Sequence, residues 1–426
     1  MRRTPHTLTK WILALAGSGL LITSCTDKGD EPTPEATANF SLTSNVDQLT
    51  TPSFSFEIPT TYDTAGVLAP ASWPGQDTRI AQLTEIANLM RTDPAATITD
   101  NAIKDRISNV GDASFTDSNL NGKDKSIASK IDENVTGSNN AATYTVRDAF
   151  LAMADSVEKA SISISTVASN GTAGQLGTSR RIVSANGLEY AQLIEKGLYG
   201  ACFYDQIVDD YLRDSQSGTG KTNSMGGNAT NYSTEGTERQ HAWDEAFGYL
   251  GANPNTYPAI DNGLHIGKYV KNTAGASGMT VNIAQKLMDA YILGRAALKD
   301  GETNLSGDNT DETYFNAARA DIKLYVEAGL AGSAFHYLNR ALIDINNENR
   351  LHYLSEALAF IYALSFNSEG VISSNQAYDV LAEFGWTAKG LEGVYDVNLW
   401  EVTATEINDA KSKLENRFTS FGELIF

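Results

Sequence analysis

Cysteine is nearly absent, with two residues in a chain of 426. Cys25 follows an apolar leader, and Cys202 is then left without a partner. A disulfide framework and a thiolate metal cluster are both excluded. Histidine is scarce as well: only His241, His265, His336 and His352 follow the leader. Basic residues are outnumbered, with 32 Lys and Arg against 52 Asp and Glu and a formal net charge of −20. That balance argues against nucleic acid and anionic lipid as ligands and suits a cation or a basic partner surface. It equally serves solubility alone. Strand-like alternation is rare. The stretch 40–70 has hairpin-like composition, but its prolines predict extended chain. Nothing matches a hydrolase triad. GTGKTNSMGG at 218–227 contains G-K-T without the spacing of a phosphate-binding loop or a strand before it. Ferritin-like di-iron bundles need E-x-x-H on two paired helices, and that spacing occurs only once here, at Glu238 and His241.

The leader is the first thing present. Arg2, Arg3 and Lys10 precede an apolar run, Trp11 to Ile22, that is too short to span a bilayer. It ends in I-T-S-C at Cys25 and resembles the lipobox of bacterial lipoproteins. The expectation is a signal peptide over 1–24, cleavage before Cys25, and acylation there that anchors the chain to a membrane. An ordinary secreted protein is the alternative. A Thr-, Ser-, Pro- and acid-rich tether over 25–55 follows, then a helical domain over 56–426.

Helical periodicity dominates from Asp77, which is expected to cap a helix carrying Ile80, Leu83, Ile86, Ala87 and Met90. Further helices are predicted over 100–109, 145–160, 186–213, 238–251, 280–299, 312–345, 349–365, 375–384 and 403–418. Long loops over 161–185 and 214–237 separate some of them. Three elements recur in order. They are D-A-aromatic (148–150 and 289–291), E-x-G-L-x-G-x-x-F (195–203 and 327–335) and H-x-x-x-E-A (241–246 and 352–357). The predicted class is therefore all-α: two packed bundles of about four helices each, about 77–255 and 280–426, related by an internal pseudo-repeat. Gly197 with Gly200, and Gly329 with Gly332, leave a bare face for another helix or for a ligand. Ala334 stands where the other half has Cys202, which suits a small buried residue.

His241 with Glu245, and His352 with Glu356, share a helix face at i and i+4. Each pair is a candidate metal ligand set or a simple hydrogen-bonded pair. The first is expected on a solvated face. The second falls in LHYLSEALAFIYALSF, apolar nearly all round and so buried. Glu195 and Glu327 lie beside apolar stripes and need partners, with the histidines or Arg340 as candidates. Glu195, His241, Glu245, Glu327, His352 and Glu356 are expected to face one crevice.

The stretches NGLEYAQLIEKGLYGACFYDQIVDDYL (186–212), HAWDEAFGYLG (241–251), WPGQDTRI (73–80), MDAYILGRAA (288–297) and AFHYLNRAL (334–342) resemble the bacterial lipoproteins grouped as domain of unknown function 4856. The likeness covers most of the chain after about residue 55. It implies an envelope lipoprotein encoded beside imelysin-like proteins and outer-membrane receptors, and hence iron or haem uptake. It implies no established reaction. Imelysin-like proteins have two related helical bundles, but their G-x-H-x-x-E signature meets Gly263, His265 and Lys268 here, with Lys in place of Glu. The function expected is a lipid-anchored binding protein, on the periplasmic or surface face of the outer membrane, assisting uptake of iron, haem or another cation. A glycan- or nutrient-binding accessory of an outer-membrane transporter and a hydrolase are the alternatives.

Overall fold

The computed structural model describes residues 61–64, 67–70, 72–92, 97–98, 101–109, 115–121, 125–131, 146–177, 181–213, 232–233, 236–253, 256, 259–274, 282–303, 310–344 and 346–418. The leader, Cys25 and the tether lie outside them. Helices dominate: α1 (Pro74–Thr92), α2 (Ala102–Ser108), α3 (Val146–Ser161), α4 (Tyr190–Leu198), α5 (Glu238–Leu250), α6 (His265–Ala274), α7 (Ile283–Thr303), α8 (Thr310–Ile343), α9 (Asn347–Ala363), α10 (Ser374–Ala382) and α11 (Ala404–Glu415). Three antiparallel hairpins accompany them: β1 (Thr61–Thr64) with β2 (Val67–Pro70), β3 (Gly174–Leu176) with β4 (Arg181–Val183), and β5 (Tyr232–Ser233) with β6 (Gly236–Thr237).

Several expectations need adjusting. Helix α1 starts at Pro74, because a proline at the first position has its ring dihedral preset and gives up no intrahelical bond. Asp77 sits in the first turn rather than at the cap. Residues 61–64 pair with 67–70 instead of running extended. Part of the 161–185 loop is also a hairpin, held by the pairing of β3 with β4. Helix α6 was not expected at all. Its apolar residues Ile266, Tyr269 and Val270 occupy one face, but its flanking Gly-rich stretches masked that short pattern.

Helix α8, 34 residues long, is the spine. It packs against α6, α7, α9 and α11, while α4 lies on α9 and α3, and α5 meets α1 and α7. Helix α9 is buried on all sides from Leu354 onward, as its sequence predicts: Leu354, Leu358, Phe360 and Ile361 have no exposed surface. The stripe of α5 is buried too, with the Trp243 indole donating to the Tyr291 carbonyl at 3.0 Å.

The paired glycines serve helix contact. Helix α4 continues through two π-helical segments, Tyr199–Tyr204 and Gln206–Tyr211. A Cβ at Gly200 would stand 2.4 Å from the Ala363 Cα on α9, and one at Gly329 would stand 2.5 Å from the Val270 Cγ2 on α6. Gly197 faces the Phe150 ring. Cys202 is buried, and its thiol is pushed up to about 12, chiefly by burial, so it remains protonated and packs as a small apolar group.

Gly200→Ala is expected to lower stability by about 1–3 kcal/mol, because backbone on both sides must move. Gly75→Ala, whose new Cβ would meet only side-chain ends at 3.5 Å or more, should be neutral or stabilising by up to about 1 kcal/mol. Urea unfolding of the two variants separates these outcomes.

Candidate functional site

The first turns of α4 carry a buried charge cluster. Lys196 has no exposed surface. Its Nζ lies 2.7 Å from Glu195 Oε2 and 2.9 Å from Glu356 Oε1 on α9, and it also donates to the Gln192 side-chain oxygen. Burial alone would strip the ammonium of its proton, but the two carboxylates outweigh burial and raise its pKa. Glu195 is likewise opposed by burial. Lys196 and Arg91 overcome that and hold the carboxyl down to about 2. Arg91 forms a two-pronged bond to Glu195, at 2.9 and 3.0 Å. The Tyr199 hydroxyl donates to the same carboxylate at 3.0 Å.

Behind Tyr199 stands His265 at the start of α6. Its Nε2 is 3.0 Å from the Ile80 carbonyl, which can only accept, so Nε2 carries the proton. The Nδ1 faces the Tyr199 hydroxyl at 3.3 Å. Burial dominates and lowers this imidazole to about 4, so it is neutral at physiological pH. Its Nε2 is engaged by protein, while Nδ1 only faces the Tyr199 oxygen, whose hydrogen goes to Glu195.

On the other side of Lys196 a cavity of about 330 Å³ opens. Its walls come from the ends of α1 and α3, from β4, from the first turn of α4, and from α6, α8 and α9. His352 forms part of the wall between two carboxylates, with Nδ1 2.7 Å from Glu189 Oε2 and Nε2 3.4 Å from Glu356 Oε2. Gln192 donates to the other Glu189 oxygen at 2.9 Å. Burial pushes Glu189 up, but the charge and hydrogen bond of His352 prevail and keep its carboxyl below the ordinary range. Tyr190, Tyr269 and Tyr337 add aromatic surface, and Met90, Ile98 and Val157 add apolar surface. The charged wall residues are Arg91, Arg181 and Lys268 against Glu189 and Glu356, with His352 between the carboxylates. Lys268 is exposed, stands 5.7 Å from the Tyr269 ring centre, and has no ion pair among the described residues.

The six expected site residues separate. Glu195, His352 and Glu356 share the Lys196 network. His241 and Glu245 pair at 3.6 Å elsewhere, where Glu245 also takes a bond from Gln76 at 2.9 Å. They are half-buried rather than solvated, because α1 and Tyr211 cover that face. Glu327 is buried in a third place, accepting from the amides of Val371 and Ile372 at 2.9 and 2.7 Å. One crevice for all six is therefore corrected: backbone amides, not a histidine or arginine, meet Glu327. Arg340 bonds Tyr353 instead of a buried carboxylate. Among the described residues, no group of three or more His, Cys, Asp or Glu side chains is arranged to hold a metal ion. Sequence reasoning missed Glu189, Lys196, Arg91, Gln192 and Lys268. Lys196 is adjacent to Glu195, and Glu189 and Gln192 share one face of α4 with Lys196 at i, i+3 and i+7; Arg91 and Lys268 meet the site from distant segments.

Residues 61–419 match the family model described as Domain of unknown function (DUF4856). The chain belongs to this family. No curated protein and no solved structure matches it. The buried cluster and the cavity lie wholly within the DUF4856 region. No helix among the described residues is long and apolar enough to cross a membrane.

Lys196→Met should destabilise the protein by about 3–5 kcal/mol, since Glu356 would be left buried beside a single histidine. The additional change Glu356→Gln should recover part of that loss in chemical unfolding. Glu327 supplies a pH test. Burial, opposed only by the amides and Tyr204, raises its carboxyl from 4.5 to about 7. The folded state thus holds this proton more tightly than the unfolded chain. Its contribution to stability is complete below about pH 4.5 and is lost as pH rises through about 7. Glu327→Gln should flatten the decline in unfolding free energy across that window, and an unchanged slope would sink the assignment.

Proposed function

We propose that this protein is a lipid-anchored binding protein of the cell envelope that takes a small polar solute into the cavity beside Lys196. One observation carries the reading. A cavity at the small end of the range for small-molecule sites opens onto charged groups already held rigid by one another. Glu189, Glu356, His352 and Gln192 are fixed by mutual hydrogen bonds, so they are preorganised to receive ligand hydroxyls at little entropic cost. The tyrosines offer stacking faces. This is the nutrient- or glycan-binding alternative of the sequence reading.

The rival reading, uptake of iron, haem or another cation, draws on the acidic balance of the chain. It has less support at this cavity, whose walls carry more basic than acidic side chains. A volume near 330 Å³ is also small for a porphyrin. Acylation of Cys25 and delivery to an outer-membrane receptor complete the proposal. It also includes descent from a duplicated helical unit. In support, the D-A-aromatic, glycine and H-x-x-x-E-A elements fall on α3, α4 and α5 and then, in the same order, on α7, α8 and α9. Kinship with the imelysin-like bundles would follow from that duplication.

Two measurements test the reading. Cys25→Ser should release the protein from the membrane fraction and abolish incorporation of labelled fatty acid. A thermal-shift screen of monosaccharides, amino acids, organic acids, metal ions and haem should show stabilisation by a small polar solute. A response confined to metals or haem would replace this proposal with its rival.

A further inference from the structure

We infer that the cavity recognises a small hydroxylated carboxylate, the chemistry of a free uronic acid, with Lys268 and Arg91 holding its carboxylate. This rests on the reading of the cavity as a solute site. The first support is a local reversal of sign. The whole chain carries a net charge of −20, yet the cavity wall presents three basic side chains against two acidic ones. The two wall carboxylates are already answered, Glu356 by Lys196 and His352, and Glu189 by His352 and Gln192. Arg91 is in turn answered by Glu195, and Arg181 acts on Glu189, so the positive charge left over is that of Lys268.

The second support is where that surplus sits. Lys268 projects from α6 with its ammonium over the Tyr269 ring and with no ion pair among the described residues. Arg91 retains donors as well. Its Nε bonds the Ala87 carbonyl and its terminal nitrogens bond Glu195, which uses three of five N–H groups. With 38% of its side chain exposed, its remaining donors are within reach of solvent. Two basic groups at one cavity suit a carboxylate.

The walls narrow the class further. Glu189 and Glu356 would repel a second anionic group but can accept from hydroxyls on their spare lone pairs, so the ligand is a monoanion rich in O–H donors. An α-ammonium has little to gain, because Lys196 and His352 already bond those carboxylates. An inorganic anion would leave the tyrosine and aliphatic walls unused.

Calorimetric titration of the full-length lipidated chain in detergent decides the matter, with D-glucuronate, D-glucose, L-glutamate and inorganic phosphate as probes. Glucuronate should bind at least about tenfold more tightly than glucose, and Lys268→Gln should remove about that factor for glucuronate alone. Because Lys268 is exposed, the variant is expected to fold, and Lys268→Arg should restore binding. Glucose binding as tightly as glucuronate, or preference for glutamate or phosphate, would overturn the ligand class while leaving the cavity a solute site. Silence from all four probes also overturns it, and the wider thermal-shift screen then judges the cavity itself.

Discussion

The ammonium of Lys196, without any exposed surface, is held between the carboxylates of Glu195 and Glu356, and much of the surrounding packing is set by that contact. A lone buried charge costs several kcal/mol, and attraction offsets this only when the geometry is tight. The cluster therefore ties elements together. Arg91 engages α1, Glu356 and His352 engage α9, and Tyr199 with His265 engages α6. Such a network adds modest net stability but penalises every arrangement that separates its members. It rigidifies one side of the cavity, which is what a binding site with few moving parts requires.

The two glycine frames each carry a buried acid, and the two acids meet different partners. Glu195 is followed by Lys196, and Glu327 by Ala328. The first acid thus has a cation next to it in the chain and is held down to about 2. The second has none, takes the amides of Val371 and Ile372 instead, and is raised to about 7 by burial. The same frame places a carboxylate in a core both times. The partners that packing brings to it, Lys196 and Arg91 in one case and the amides of Val371 and Ile372 in the other, differ between the two.

Much of the architecture was legible in advance. Apolar spacing located nearly every helix, and the all-round apolarity of 351–366 correctly placed α9 in the interior. The close approach at Gly200 and Gly329 followed from glycines three apart. Helix α6 was lost because three apolar residues between glycine-rich flanks make too short a signal. The β1–β2 and β3–β4 pairings were lost because each strand is three or four residues long and held by backbone pairing rather than by a side-chain pattern. At the site, the i and i+4 spacing correctly joined His352 to Glu356, but it also promoted His241 and Glu245, which have the same spacing and different neighbours.

Local order along the chain set the helices, the buried stripes, the small residues where helices touch, and the pairing of residues a turn apart. Those features depend on dihedral periodicity and solvent avoidance, which act over a few residues. Which carboxylate meets which cation was settled only in three dimensions. Arg91, Glu189, Lys268 and His352 are far apart in sequence and converge because α1, α4, α6 and α9 pack around one point. The strength and sign of a buried charge depend on distance and on water exclusion, neither of which exists until those helices have packed.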